Sequence, residues 1–222
     1  MPTFDTIRQE ADDRTLIRKI QKAVAFLAPT SVDLPDTLFT GAGALVDLKA
    51  AGWLPIGIVT PDGYEFGRDV SKEDVSAFGY AGAARSDVTE VARSITLTPL
   101  EYGRKHMLEL QNGTDLTAVT QNATTGEVVF DEPELPVGQE YRFLVIGSDG
   151  PADKNWIIGR GYGSVKLAST DSEKWGSSDP VTQPLTFDVF TDEEIGTPVR
   201  KYMGGTGAKA ASTVLGFTQG TP

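Results

Sequence analysis

A mainly β fold, a sandwich or barrel with one flanking α-helix and an N-terminal arm, is what this sequence predicts, on three observations. Short runs alternate in polarity: Val91, Arg93, Ile95 and Leu97 against Glu90, Ala92, Ser94 and Thr96, and Leu185, Phe187 and Val189 against Thr186 and Asp188. A period of two is the mark of a half-buried strand. Turn residues are dense, with 24 glycines and 13 prolines in 222 residues. Between the strand candidates stands one strong helix-start signal, Thr98-Pro99-Leu100-Glu101, a capping box with proline at the first helical position.

The first element in order is a helix over residues 5–27. Ile7, Ala11, Ile17, Ile20, Val24 and Leu27 fall mostly near one face, with Arg8, Asp12, Arg14, Lys19 and Lys22 elsewhere. Residues 28–52 are broken by Pro29, Pro35, Gly41, Gly43 and Gly52 and read as an extended, loosely structured stretch. Residues 1–52 therefore form an assembly arm, too short and too aperiodic for a core of their own. The compact domain spans 53–203, and a Gly/Ala-rich tail, mobile or ordered by a partner, spans 204–222.

Within the domain, Trp53 to Thr60 reads as a strand, Asp62-Gly63 as a hairpin turn and Tyr64-Glu65-Phe66 as the return. Residues 67–88 form a long excursion. A stretch of this length with little core pattern is uncommon unless functional. It is expected to have hairpin character and to contact other subunits through Val75, Phe78 and Tyr80. The capping box opens a helix to about Gln111, with Leu100, Met107 and Leu108 on one face and Asn112-Gly113 as its stop. Further strands are expected at Glu127–Phe130, Glu140–Ile146, Trp156–Ile158, Ser164–Leu167, Leu185–Phe190 and Val199–Tyr202, with Ser148-Asp149-Gly150 as a turn.

Composition bounds the chemistry. Cysteine is absent, which removes disulfides, thiolate metal sites and a cysteine nucleophile. A balance of 20 Lys+Arg against 31 Asp+Glu, net −11, is poor for gripping nucleic acid or an anionic membrane. Met1 to Asp5 is not a basic leader, and Ala23 to Ala28 is too short an apolar run to span a bilayer. Asn112-Gly113-Thr114 and Asn122-Ala123-Thr124 match the glycosylation triplet by chance. Gly159-Arg160-Gly161-Tyr162-Gly163 opens no helix, so a bulge or tight turn is expected rather than a phosphate cradle. Gly204 to Lys209 lacks the Gly-Lys-Ser/Thr ending of a phosphate loop. His106, the single histidine, is expected to face solvent. Asp131, Glu132 and Glu134, and Asp192-Glu193-Glu194, are expected in solvated loops; Asp149, Asp153 and Asp171 miss the calcium-loop spacing. Nothing assembles a nucleophile, a base and an orienting group, so no catalytic, cofactor or metal residue is assigned.

Two stretches carry a resemblance. One runs Gly52-Trp53-Leu54-Pro55-Ile56-Gly57-Ile58-Val59-Thr60-Pro61-Asp62-Gly63-Tyr64-Glu65-Phe66-Gly67-Arg68-Asp69 and leads through Ser86–Glu90 to Ser94–Thr98 and the Leu100–Leu110 helix. The other is Tyr141–Ile146 with Leu185–Val189 and Pro198–Tyr202. Their order resembles the major tail tube protein of long-tailed siphophages, especially those infecting actinobacteria, over roughly residues 50–202. The resemblance implies a non-enzymatic virion protein without cofactor. It implies self-assembly into hexameric rings stacked as a tail tube, made in the host cytoplasm. Tape measure, tail terminator and distal tail proteins are the implied partners, and double-stranded DNA passes without tight binding. An acidic lumen would keep that passage free of sticking points, with Lys and Arg used in subunit contacts. The alternatives are a monomeric β-sandwich binding or adhesion module, or a hydrolase using the Asp131–Glu134 carboxylates.

Overall fold

The computed structural model describes residues 2–218, so Met1 and the last four residues of the predicted tail lie outside the described residues. One antiparallel sheet dominates. Its strands are β1 (Lys22–Pro29), β2 (Leu54–Pro55), β3 (Val59–Ser76), β4 (Ala83–Pro99), β5 (Glu140–Asp149), β6 (Trp156–Thr170), β7 (Leu185–Phe190) and β8 (Arg200–Gly204). The order is β2-β1-β5-β6-β7-β4-β3, and β8 joins the first half of β6 on the side that β7 takes in its second half. The helices are α1 (Phe4–Ala11), α2 (Lys105–Asn112), α3 (Thr206–Ala210) and α4 (Ser212–Leu215). This is the mainly β class that the alternating runs predict.

The sheet curls until its far strands share one core. Ala25 and Leu27 of β1 pack with Ile95 and Leu97 of β4, Phe143 and Val145 of β5, and Leu185 and Phe187 of β7. Met107 and Leu110 of α2 close this inner core. A bulge explains one break in alternation. Tyr141 pairs with Val165 but Phe143 with Tyr162, so β6 spends an extra residue and Tyr162 and Val165 both point inward. The outer face carries a second core. Phe26, Ala28, Leu144 and Ile157 from the sheet meet Leu34, Leu38, Leu48 and Trp53 from the 30–53 connection.

Several local expectations are corrected. The helix predicted over 5–27 stops at Ala11, and residues 22–29 are an internal strand. A strand buried on both faces reads as a continuous apolar run, which helical spacing mimics. Residues 28–52 are not loose, because they seal the outer face. Asp62-Gly63 is not a hairpin turn. It is a bulge inside β3, three residues being absorbed between the Val59–Pro99 and Tyr64–Leu97 pairs, with Gly63 at φ +75°. Thr98 and Pro99 end β4 rather than start a helix, and α2 begins at Lys105 without a side-chain cap. Its stop at Asn112-Gly113 is as expected, Gly113 being left-handed. Leu110 replaces Leu108 as the buried partner of Met107. Glu127–Phe130 is not a strand. The start of the tail forms α3 and α4, with Gly207 and Ala208 buried beside Lys154 and Trp156.

Gly159, Gly161 and Gly163 lie within β6; the expected bulge falls at the last of them, between Tyr162 and Val165, and they form neither a tight turn nor a phosphate cradle. A Cβ on Gly159 would meet Leu38 at 2.9 Å, on Gly161 Leu34 at 2.7 Å, and on Gly163 Asp192 at 2.5 Å. The missing side chains let the outer layer lie directly on the strand.

Candidate functional site

The feature that the core does not explain is the outer half of the β3–β4 pair. Register continues from Gly67–Ser94 to Ser76–Ala83, with the turn at residues 77–82. Every residue from 68 to 90 is exposed. At ~3.3 Å per residue this ribbon projects about 30 Å from the body. The excursion read from the sequence is thus a formed hairpin. Val75, Phe78 and Tyr80 lie at or near its tip, all exposed, Phe78 fully so. The structure adds what sequence spacing alone did not show. Val70 pairs with Val91, and after a bulge Val88 pairs with Lys72, so three valines share the face that continues Phe66 and Ile95 of the inner core. Among the described residues nothing covers that face. Finding it needs the register, and the bulge at Thr89 of β4 hides the period.

A second uncovered element is α1. It has no buried residue; Thr3 caps it by accepting from the Thr6 N–H, and Phe4 and Ile7 face solvent. Attachment begins only at Arg18, which stacks 4.4 Å over Trp156 and pairs with Asp149. Gln21 N–H then donates to Ser148 O, and Ile20 fills the space left by Gly147. The free part of the arm is therefore residues 2–17, and residues 18–52 belong to the body.

The base of β3 is held by a polar latch. The Glu101 carboxylate accepts from Ile58 N–H at 2.8 Å and from Arg104 Nε at 2.6 Å. The Ile58 bond and then Arg104 hold this carboxyl below its usual range. Gly57, at φ +101°, is required there because a Cβ would sit 2.6 Å from Glu101. His106 does not face solvent as expected. It is half-buried with Nε2 2.9 Å from Pro55 O, and burial pushes its pKa down.

The carboxylate runs part company. Asp131, Glu132 and Glu134 lie exposed in a loop. Asp192 is not solvated. It is buried, accepts from Glu194 N–H and Ile195 N–H, and lies 3.6 Å from Arg142, itself buried and bonded to Val32 O and Glu194. That network ties the 192–197 turn to β5 and fixes structure. Among the described residues no group of three or more His, Asp or Glu is placed to hold a metal ion, and no helix is long and apolar enough to cross a membrane.

No protein-family model matches the sequence, and no curated protein matches it. Solved structures that match over most of the chain include three. The tube-terminating cap of the anti-feeding prophage is 12% identical, over 87% of this chain and 97% of that chain, with a TM-score of 0.41. A chain of the sheath–tube complex of the PVC extracellular contractile injection system is 10% identical, over 92% and 99%, with a TM-score of 0.43. A type six secretion system protein is 14% identical, over 82% and 92%, with a TM-score of 0.33. Identities and scores this low carry no function across by themselves.

Proposed function

We propose that this protein is a structural subunit that associates with copies of itself, in stacked hexameric rings, to form the tube of a phage tail. The ribbon of residues 68–90 carries the reading. A two-stranded hairpin alone in water is marginal. This one holds Val70, Val75, Phe78, Tyr80 and Val88 in solvent, so the chain is built to be completed by another surface. The unattached helix α1 and the sequence resemblance point the same way. Val75, Phe78 and Tyr80 act as contacts between subunits. The tube conducts double-stranded DNA without holding it, consistent with the −11 charge. Tape measure, tail terminator and distal tail proteins are its partners in the virion, and no catalytic step is assigned.

Electron microscopy and light scattering of purified protein test the reading. Rings or tubes are expected. Deletion of Ser71–Ala83 is expected to leave a folded chain that forms none. Strictly monomeric protein at all concentrations would overturn the proposal in favour of a β-sandwich binding module, and normal tubes from the deletion would overturn the role given to the ribbon.

A further inference from the structure

Where the ribbon leaves the body, the inner face changes character. Arg68 stands directly opposite Arg93 on β3 and β4, and Arg160 directly opposite Lys201 on β6 and β8. Like charges facing each other across a ladder are unfavourable. The two pairs gather round one aromatic group. Arg160 stacks 4.3 Å over the Phe66 ring, Phe66 stacks on Tyr162 at 6.2 Å, and Phe66 lies two residues from Arg68 on the same face of β3. Among the described residues none of these four cations is in an ion pair, whereas Arg142 and Arg200 each have carboxylates. Arg160 also lines a cavity of about 1050 Å³ with Arg18, Lys22, Lys49 and Arg104, where Asp62 and Glu101 are the acids. Arg18 and Arg104 of that lining are paired with Asp149 and Glu101, so the saddle of unpaired, mutually facing cations is Arg68, Arg93, Arg160 and Lys201.

The opposite excess lies on the ribbon. Residues 69–90 carry Asp69, Glu73, Asp74, Asp87 and Glu90 against Lys72 and Arg85, all exposed. Glu73 stands directly opposite Asp87, whose single ion pair is with Arg85 at 2.6 Å. This ribbon cannot reach its own saddle. It starts there and leads away, so its outer acids, Glu73, Asp74 and Asp87, sit about 17 Å out or further at ~3.3 Å per residue.

We infer that the saddle of Arg68, Arg93, Arg160 and Lys201 receives the acidic ribbon of a second copy of this chain. The inference rests on the self-association proposed above and names the two surfaces that meet. The contact relieves like-charge pairs of both signs at once. Tip and saddle are different patches, so the contact is head-to-tail and propagates rather than closing as a two-fold dimer. A nucleic-acid phosphate backbone is the competing occupant. The acidic balance of the whole chain disfavours it, and the complementary ribbon favours a second copy.

Charge reversal by mixing separates these cases. One variant carries Arg68→Glu, Arg93→Glu and Lys201→Glu; the other carries Glu73→Lys, Asp74→Lys and Glu90→Lys. Alone, each should raise the protein concentration needed for assembly by about tenfold or more, because ribbon and saddle then share a sign. An equimolar mixture should return it to near the wild-type value, since each ribbon then faces an opposite saddle. Because the chain has no cysteine, a mixture of Asp74→Cys and Lys201→Cys proteins gives a second measurement, independent of the folding of the triple variants. A disulfide-linked dimer containing one of each is expected. Wild-type protein that never assembles overturns this inference together with the proposed function. Wild-type protein that assembles, with no rescue on mixing and no mixed disulfide dimer, overturns this inference alone. So does duplex DNA binding that the saddle variant loses while it assembles normally, which assigns the saddle to phosphate.

Discussion

Tyr64 is where the curled sheet is least settled. Its ring packs on the inner core, and its hydroxyl is buried without a hydrogen-bond partner, the Ala25 N–H offering the phenolate only a partial offset. Burial pushes the phenol from 10.0 up to about 12. Between those values the unfolded chain gives up the proton and the folded chain keeps it. The stabilisation is therefore fully present below pH 10 and is lost as pH rises towards 12. The half-buried ring tempers the effect, which is on the order of 1–2 kcal/mol. Tyr64→Phe should be neutral or stabilising at pH 7, since it removes an orphaned hydroxyl. It should also flatten the alkaline loss, as read by denaturant melts at pH 7, 10 and 11. A variant with the same alkaline loss as the parent would show that the ring is not buried as described. Nothing in the sequence marks this tyrosine, because the cost comes from β1 and β3 meeting across the barrel.

Among the elements, β6 is the spine, pairing with β5, β7 and β8. Its glycines were visible in the sequence, but their purpose was not. Spacing shows that 159, 161 and 163 share a parity; only the fold shows an outer layer pressed on them. The same limit explains β1 and α2. The apolar residues of 22–29 were legible as core, but the strand-or-helix choice depends on flanking strands distant in sequence. Thr98-Pro99-Leu100-Glu101 has the local chemistry of a helix start, yet pairing with β3 extends β4 through Pro99, and Glu101 caps Ile58 instead. β7 and the residue 91–97 half of β4 were legible because local alternation and burial agree, and β5 was legible as an apolar run buried on both faces. Gly163→Ala tests the close approach. Its Cβ would meet the Asp192 Cβ at 2.5 Å, where two backbone N–H groups hold that side chain. Overpacking should cost about 2 kcal/mol. Gly82→Ala, at the ribbon turn with nothing within 4 Å, should instead be neutral or stabilising by up to ~1 kcal/mol. Thermal melts of the two variants should move in opposite directions or by clearly different amounts; equal shifts would place the outer layer further from β6.

On the scale of the whole molecule, the chain divides into a body with two cores and two appendages without one. The body, residues 18–66 and 91–216, buries its own cores. The ribbon and residues 2–17 do not, and an amphipathic helix with no buried side chain is barely stable alone at eight residues. What the sequence offered here was the absence of a core pattern in both appendages; it could not say where each begins, because Arg18 and Phe66 are fixed by contacts with Trp156 and Tyr162. Exposure of this kind has a kinetic consequence. Local opening of a segment with no tertiary contacts costs little, so a protease cuts it at a rate set by the intrinsic cleavage, not by global unfolding. In dilute monomer, trypsin should cut at Arg8 and Arg14 of the arm and at Lys72 and Arg85 of the ribbon long before it cuts the body. In assembled protein both appendages are covered, and cleavage there should slow by at least an order of magnitude while that of the body stays slow. Equal cleavage of the appendages in monomer and assembly would mean that neither takes part in joining subunits. Selective protection of the ribbon alone would confine the contact to the hairpin and leave α1 outside it.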